Sequence, residues 1–401
     1  MNDEIKIRTN FHHGSFIEIL GEKDKEYGDD ESYEVIFLDN KTNKLIHSTS
    51  LKPNYWTRPN KKYFVDWKVV VMKNNEGIVH EEVMNLEGKE VLIIIDNKPL
   101  GDNIAWIPYC LEFQKKHNCN VTVSCFFNDL FMDSYPELKF ADKRGSVLND
   151  DRYYATYKIA YGYHDDDINA FAKFVQKNKH VWDHYPYANL HNTDENPEHP
   201  SLIPLQKICT NVLGLDFKEI RPKFKCDNET RPIEKKYICI SEFASGQLKM
   251  WNNQIGWQTL VDDLKKLGYE VVSISKERTS LKNVIKRNGP YSLQDRIWYL
   301  THCEFYIGVS SALSWLAWGC GKKTVMISGI TEKWNEYSED NIRILNEDVC
   351  HGCWNSQQHC NKFAQFLPDF CPEKKRWECS RKISPKMVLD EIKRNNLLCT
   401  K

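Results

Sequence analysis

The sequence of 401 residues predicts an α/β protein with two parallel, doubly wound units after an N-terminal segment of β-strands. Short runs rich in Val, Ile, Tyr and Phe fill the first 88 residues, and strand-like runs alternate with helix-like segments from residue 89 onwards. Cysteines cluster after residue 346. We therefore predict an all-β domain, two α/β domains, a small cysteine-ligated metal finger and a closing helix, at residues 1–88, 89–230, 231–345, 346–383 and 384–401.

The composition is that of an ordinary globular protein. Hydrophobic residues make up 41% of the chain, charged residues 28%, and the formal net charge is −1. This balance provides no electrostatic attraction for nucleic acid or anionic lipid. No apolar run reaches the roughly 20 residues of a membrane span, and the opening residues do not resemble a signal peptide. We therefore expect a cytoplasmic protein with reduced thiols.

The first domain is predicted from four runs, EVIFLD, KLIHSTSLK, KYFVDWKVVVM and GIVHEEVMNL. Clusters of Asn, Gly, Pro and Lys separate them at the spacing of a small antiparallel sandwich or jelly roll. We expect its aromatic residues to lie in the core or an interface rather than to form a sugar-binding platform; these are Tyr55, Trp56, Tyr63, Phe64 and Trp67. The domain is also a candidate for self-association, so a homo-oligomer is possible.

The first α/β unit begins with the strand EVLIIIDN, continues through a helix and returns in the strand CNVTVSCFF. The helix should bury the face formed by Ile104, Ile107, Cys110 and Leu111. Pro108 predicts either a kink or a late helix start. Gly101 and Asp102 lie in the first βα loop, at the sheet edge where ligands bind. Asp102 is therefore either a helix N-cap or a carboxylate that serves ligand chemistry.

The pattern is less regular from residue 140 onwards. RYYATYKIAYGYHDDD is predicted to be a strand that leads into an acidic loop, and DINAFAKFVQKNKHVW a helix. SLIPLQKICTNVLGL is predicted to be a helix that ends at Gly214. The histidines of the loop YPYANLHNTDENPEHP are too irregularly spaced for a metal site. The charged stretch 226–236 is the predicted interdomain linker.

The second α/β unit has a clearer pattern. Its predicted strands are KYICISEF, YEVVSIS, FYIGV and KTVMIS, and its predicted helices are GWQTLVDDLKKLG, SLQDRIWYLTHC and SSALSWLAWGCG. The last segment of the chain, SPKMVLDEIKRNNLL, is predicted to be an amphipathic helix capped by Ser384 with Pro385 at its first position.

Three strand ends of this unit are predicted to meet at one edge. They bear Ser241 with Lys249, then Lys276, then Ser310 with Ser311. Either of the last two serines can cap the following helix, whose first-turn N–H groups and dipole attract an anion. Two lysines beside such a helix would suit a diphosphate. The alternatives are an ordinary buried βα unit without a ligand and lysines that are merely solvated.

The cysteine cluster predicts a structural metal site. Cys350 and Cys353 form a C-x2-C pair, and Cys360, Cys371 and Cys379 follow. Two thiolates at this spacing clamp one tetrahedral ion, and two more would complete its shell. Zinc is the usual occupant of four thiolates, iron fits the same geometry, and a disulfide is the alternative.

Several long motifs resemble one known family. LGDNIAWIPYCLEF, SEFASGQLKMWNNQIGWQ, SSALSWLAW with ISGI, and the cysteine pattern that ends in WECSRKISP together resemble the bacterial autotransporter strand-loop-strand O-heptosyltransferases. The resemblance implies protein O-glycosylation by two Rossmann-like domains of GT-B type with an N-terminal β domain and a four-cysteine iron finger. It also implies ADP-heptose as the donor and serine hydroxyls of an autotransporter adhesin as the acceptor.

The same resemblance implies roles for individual residues. Asp102 matches the proposed base, and the donor half comprises Lys249, Lys276, Ser310, Ser311, Leu313, Ser314 and Trp315. The finger ligands would be Cys350, Cys353, Cys371 and Cys379, with Cys360 as an extra cysteine. Two departures bear on the choice of donor and acceptor. Ala312 replaces the glycine of the family's SGLSWLAW, and the segment between the last two finger cysteines is short.

Three functional hypotheses follow. The first is a glycosyltransferase that moves heptose from ADP-heptose onto protein serines, with a base and metal-independent stabilisation of the diphosphate in a cleft that closes on the donor. The second is a glycosyltransferase of the same fold that acts on a modified nucleic-acid base or a surface glycan. The third is a non-enzymatic nucleotide-sugar-binding protein. Donor hydrolysis separates the third from the others, and an acceptor screen separates the first two.

Overall fold

The computed structural model describes residues 5–61, 63–73, 76–141, 152–159, 200–356, 359 and 371–398. Two antiparallel sheets precede residue 88, with strand orders β1-β2-β5 and β4-β3-β6-β7. Their strands are β1 (Lys6–Asn10), β2 (Phe16–Leu20), β3 (Tyr33–Asp39), β4 (Lys44–Leu51), β5 (Tyr55–Thr57), β6 (Trp67–Lys73) and β7 (Gly77–Val83). The four runs identified in the sequence form β3, β4, β6 and β7, whereas β1, β2 and β5 were not predicted.

The aromatic residues of this segment have different environments. Trp67 is buried in the core as predicted. Tyr55 and Trp56 are 62% and 56% exposed, because they belong to a three-residue strand at the edge of its sheet. They are therefore not core residues, and the alternative that they lie at an interface stays a prediction.

The first parallel sheet has the strand order β10-β9-β8-β11. It contains β8 (Glu90–Ile95), β9 (Asn120–Ser124), β10 (Lys139–Phe140) and β11 (Ala155–Ile159). The helices of this part are α1 (Leu100–His117), α2 (Asn128–Phe131) and α3 (Leu205–Leu213). Strand β8 is buried from Val91 to Ile95, as its uninterrupted apolar run predicts for a parallel strand. Of the elements predicted between residues 140 and 200, the helix DINAFAKFVQKNKHVW lies outside the described residues.

Helix α1 corrects one prediction. It starts at Leu100 and runs through Pro108, so the late start is wrong. Burial of all side chains from Asn103 to Leu111 stabilises the helix through tertiary packing, which outweighs the loss of one backbone hydrogen bond at the proline. Helix α3 ends as predicted at Gly214, which adopts the left-handed conformation with φ 60°.

The second sheet is parallel, with the order β14-β13-β12-β15-β16-β17 in the described part of the chain. Its strands are β12 (Tyr237–Ser241), β13 (Glu270–Ser273), β14 (Ile285–Lys286), β15 (Tyr306–Val309), β16 (Thr324–Ile327) and β17 (Asn341–Ile344). In chain order this sequence of strands is 3-2-1-4-5-6, the doubly wound order in which ligands bind where the winding reverses. That point lies between β12 and β15, whose ends are followed by polar side chains.

Helices α4 (Gly256–Lys266), α5 (Leu293–His302) and α6 (Ala312–Gly319) cover the second sheet, followed by α7 (Glu378–Arg381) and α8 (Pro385–Arg394). All predicted strands and helices of this unit are confirmed; β14 and β17 are additional. The cap of α8 is also as predicted, because Ser384 Oγ accepts from the N–H of Met387 at 3.2 Å. None of the described helices has the length and apolar character needed to cross a membrane.

One hydrophobic core runs through much of the molecule. It extends from Phe11 in the N-terminal sheets, through α1, to Tyr337 beside α6. A second cluster lies on the other face of the second sheet, where α8 packs against α4 and β17. The predicted domain boundaries at residues 88, 230 and 345 stay predictions.

Candidate active site

A cleft of about 840 Å³ lies between the start of α1 and the carboxyl edge of the second sheet. Most of the site residues predicted from the sequence line it: Asp102, Lys249, Lys276, Ser310, Ser311, Leu313 and Trp315. Ser314 is the exception, because its fully buried Oγ donates to the carbonyl oxygen of Val309 at 2.7 Å. The structure therefore brings both halves of the predicted site to one cavity.

The first turns of α1 and α6 meet at this cleft. A methyl group added to Gly101 would lie 3.4 Å from Cα of Ala312 and 3.6 Å from Cδ1 of Trp315, which is ordinary van der Waals contact. Ala312, which departs from the family motif, therefore packs against α1. Since both helices begin here, the positive ends of two helix dipoles point toward the same cavity.

Asp102 is the third residue of α1, and Pro99 is the N-cap. The simple N-cap interpretation of Asp102 is therefore wrong. A capping box is excluded as well, because Pro99 has no N–H for the carboxylate to accept. Instead, Nδ2 of Asn97 donates to Oδ2 of Asp102.

The carboxyl group of Asp102 has an altered acidity. Burial raises the pKa of Asp102 to about 6, and the positive charge of Lys249 opposes this shift. A carboxyl group with a pKa near the working pH is suited to accept a proton and release it again. Its location at a cavity edge gives that proton a route from a bound molecule.

Lys249 and Lys276 line the cleft from two successive loops of the second sheet. Lys249 ends the short 3-10 turn Gln247–Lys249 that follows β12, and Lys276 follows β13. Among the described residues, no carboxylate forms an ion pair with either ammonium group. Both charges are therefore available to an anionic ligand within this part of the chain.

The serines before α6 have different roles. Ser311 is the N-cap, but its side chain makes no capping hydrogen bond, and its buried Oγ has no partner within the described structure. Ser310 Oγ donates to Oε1 of Glu336 at 2.5 Å. The first-turn N–H groups of an α-helix have no partner within the helix. An anion in the cleft can therefore be bound by the start of α6.

Beneath Ser310 lies a buried ion pair that the sequence interpretation missed. Arg343, on the unpredicted strand β17, donates to Glu336, and the side chains of both are about 95% buried or more. Thr331 Oγ1 also donates to Glu336, at 3.1 Å. The pair connects the ends of β15, β16 and β17 at the cleft, whose lining includes Glu336. In the sequence, the available sign of this ion pair was the arginine within the short run NIRI.

A second unpredicted network connects the ends of β12 and β13. The buried carboxylate of Glu242 accepts from Ser273 at 2.7 Å, from Ser275 at 3.3 Å and from Thr279. Ser275 Oγ also lies 3.1 Å from Oγ of Ser241. These bonds fix the loop that begins with Lys276.

The cysteine segment lies against the wall of the cleft that the loop after β16 forms. The N–H groups of Gly352 and Trp354 donate to the carbonyl oxygens of Gly329 and Ile330 at 2.9 and 3.0 Å. Trp354 lines the cavity. A side chain at Gly329 would come within 2.6 Å of Cβ of Cys379. The loop after β16 is thus packed between the cysteines and the cleft.

The four predicted finger cysteines are free thiols that influence one another. Burial raises the pKa of Cys353 to about 12 and the pKa of Cys379 to about 11, and the neighbouring thiols add to both shifts. Within the described ranges, no three His, Cys, Asp or Glu side chains are arranged to hold a metal ion. Cys360 lies outside the described residues. Thiolates are the ligands that a structural tetrahedral ion prefers, so the residue types suit such an ion, and the four-cysteine site stays a prediction.

Comparisons with known proteins point to one family. No protein-family model matches the chain. It is 30% identical over 377 residues to the autotransporter heptosyltransferase Aah of Escherichia coli, which covers 90% of this chain and 88% of Aah. Another relative is the inactive autotransporter heptosyltransferase BimC of Burkholderia thailandensis, 26% identical over 83% of this chain and 74% of BimC.

A solved structure matches nearly the whole fold. It is the dodecameric iron-containing heptosyltransferase TibC from enterotoxigenic Escherichia coli in complex with ADP-D-β-D-heptose. The TM-score is 0.79 at 25% identity, over 99% of this chain and 97% of that chain.

Proposed function

This chain belongs to the autotransporter heptosyltransferase family, and from that premise we propose that it transfers heptose from ADP-heptose onto serine hydroxyls of an autotransporter protein. The protein is a glycosyltransferase. The observation that supports the proposed reaction is one cavity with a carboxylate on one wall, Asp102, and two lysines beside a helix N-terminus on the other. A carboxylate can accept the proton of the acceptor hydroxyl, and the positive groups can bind the diphosphate of the donor.

The donor would bind with its diphosphate against the second sheet. Lys249 and Lys276 supply positive charge, and the first turn of α6 supplies N–H groups and a favourable dipole. As the bond between the anomeric carbon and the diphosphate oxygen breaks, negative charge grows on the departing ADP. These fixed positive groups stabilise that charge in the transition state without needing a metal ion at the diphosphate.

Asp102 would act on the acceptor. As the serine oxygen attacks the anomeric carbon, the hydroxyl proton passes to the carboxylate of Asp102, and the electron pair of the broken bond leaves with ADP. The raised pKa makes Asp102 a stronger base than an ordinary aspartate, and at about 6 it still lies below neutral pH, so most of Asp102 stays ionised there. Closure of the cleft would exclude water from the activated sugar.

We also propose that Cys350, Cys353, Cys371 and Cys379 hold one structural iron or zinc ion. TibC is an iron-containing relative, and four thiolates leave no open coordination position for catalysis. When bound, the ion would cross-link the two halves of the cysteine segment. One contact already spans these halves, because His359 Nε2 lies 2.6 Å from Oε1 of Glu373.

The larger organisation is part of the same proposal. The two parallel sheets would be the Rossmann-like halves of a GT-B enzyme, and the strands before residue 88 would form its β domain. Exposed aromatic residues on that domain and the dodecameric state of TibC support a homo-oligomer. We propose that this assembly works in the cytoplasm on an autotransporter before its export.

The direct test is incubation of the purified protein with ADP-heptose and an autotransporter passenger domain, followed by intact-mass and peptide mass spectrometry. We expect heptose residues to be added at serines of the passenger. A passenger with those serines changed to alanine is the control. Donor hydrolysis without passenger modification would indicate another acceptor. Donor binding without hydrolysis or transfer would indicate a binding protein, the alternative that the inactive relative BimC raises.

A further inference from the structure

The loop that joins β8 to α1 has a second polar side chain at the cleft, Asn97. It lines the cavity, although only 5% of the residue is exposed. Its Nδ2 donates to Oδ2 of Asp102. Asn97 is therefore the side chain through which the loop contacts the carboxylate.

The backbone of this loop is held by another amide. Asn103 is fully buried, and its Nδ2 donates to the carbonyl oxygens of Asn97 at 2.6 Å and of Pro99 at 2.8 Å. These bonds fix the loop to the first turn of α1, which also contains Asp102. Asn97 and Asp102 are consequently held in a defined relation, and the contact between them does not depend on a mobile side chain at the surface.

An amide N–H has two effects on a neighbouring carboxylate. It stabilises the ionised form, because the negative oxygen is the better acceptor, and this opposes the effect of burial on the pKa. It also occupies one carboxylate oxygen, so the other oxygen is left to accept a proton from a bound hydroxyl. A general base must be ionised and must hold the accepting oxygen in a fixed direction toward the hydroxyl that attacks the sugar. The amide N–H contributes to both.

We infer that Asn97 is a positioning residue for the base: it holds Oδ2 of Asp102, leaves Oδ1 to accept the proton of the acceptor hydroxyl, and keeps the carboxyl group ionised. This inference rests on the proposed function. Charged side chains that share the cavity with Asp102 are Lys249, Lys276, Glu277, Arg296 and Glu336. Of these, Lys249 acts on the acidity of Asp102. Of the elements packed on α1, α6 and β9 have no titratable side chain, α3 contains Lys207 and Cys209, and β8 contains Glu90.

The test is the pH dependence of single-turnover transfer for Asn97→Ala and Asn97→Asp, between pH 5 and 9. The acid limb of the pH–rate profile is the range in which transfer falls as the pH is lowered. Removing the N–H donor should move this limb upward by about one pH unit. At pH 6 the ionised fraction would then fall from about one half to about one tenth, so transfer should be about fivefold slower. At pH 8 the loss should be less than twofold, apart from any loss of orientation. Donor affinity, measured by calorimetry, should be unchanged.

Asn97→Asp keeps the shape of the side chain, so it covers the case in which Asn97→Ala fails to fold. A second carboxylate beside Asp102 should shift the limb further upward, because two adjacent like charges resist ionisation. Asn128→Ala is the matched control. The side-chain amide of Asn128 also holds a loop, because its Nδ2 donates to the carbonyl oxygen of Ala141 at 2.6 Å. Asn128 does not line the cleft. Its loss should lower the melting temperature and leave the acid limb in place.

Two results would overturn the inference. If Asp102→Asn abolishes transfer but the acid limb is the same in wild type and both Asn97 variants, Asn97 has only a structural role, while the proposed function survives. If Asp102→Asn transfers heptose normally, Asp102 is not the base and Asn97 positions none, while heptose transfer itself still stands.

Discussion

At the level of single residues, the two lysines of the cleft make the donor site testable. Lys249 is half-buried, so its charge is weakly screened, and we expect Lys249→Ala to weaken ADP-heptose binding about tenfold. Lys276 is exposed in the free protein, and solvent screening should limit the effect of Lys276→Ala to a few-fold. Isothermal titration calorimetry with ADP-heptose measures both.

The control for these variants is Lys266→Ala. Lys266 lies on the outside of α4, where it pairs with Asp263 at 2.9 Å, and it is not part of the cleft. This change should leave donor binding unaltered. If Lys249→Ala and Lys276→Ala both bind and transfer normally, the diphosphate lies elsewhere and the lysines are only solvated.

The sequence identified these residues for a simple geometric reason. Parallel strands end at a common edge, so the positions of Lys249, Lys276 and Ser310 just after strands predict their convergence. Glu336 and Arg343 could not be found in this way. Glu336 accepts from Ser310, and Arg343 pairs with Glu336. No periodicity in the sequence reports such contacts between distant residues.

At the level of elements, the cysteine segment is expected to be needed for folding. Cys353→Ser should give poorly soluble protein rather than a soluble, slow enzyme, because a four-thiolate ion contributes directly to folding free energy. The packing of Cys379 against Gly329 would transmit that loss to the wall of the cleft. Soluble yield and elemental analysis of protein prepared without chelator provide the measurement.

The extra cysteine provides the comparison for this prediction. Cys360→Ser should keep one equivalent of metal and normal solubility, since Cys360 is proposed to lie outside the ligand set. Absence of metal from the wild-type protein, or loss of metal from Cys360→Ser, would contradict the assignment of ligands.

Elements marked by a continuous apolar run or by helical periodicity were predictable, and short strands without an apolar run were not. Strand β15 and helix α6 follow directly from FYIGVSSALSWLAW, because a buried run is followed by a polar cap. Strand β14 has only two residues, and β17 has the run NIRI, in which polar and apolar residues alternate. The start of α1 was uncertain because Pro108 disfavours a helix locally, whereas the packing that overrides it involves residues far apart in the chain.

At the level of the whole molecule, the fold creates one cleft from two sheets, and the continuous core fixes the sheets to each other through α1 and α6. The assembly is a separate expectation. We expect light scattering of the purified protein to give a mass several times that of one 47.2 kDa chain. A monomer at micromolar concentration would contradict the proposed homo-oligomer and would leave the cleft chemistry unaffected.

The central claim is that this cleft transfers a sugar with Asp102 as the base, and one substitution tests it most directly. Asp102→Asn keeps the size of the side chain and a carbonyl oxygen for Asn97, but it cannot accept a proton. Single-turnover transfer should fall roughly 10²–10⁴-fold, while donor affinity and melting temperature stay close to those of the wild type.

The same measurement on the wild type should show the protonation of Asp102. Because the pKa of Asp102 is raised to about 6, transfer should be fully present above that pH and should decline as the pH falls through it. Near-normal transfer by Asp102→Asn, with an unchanged pH profile, would contradict the account and reduce Asp102 to a structural residue of α1.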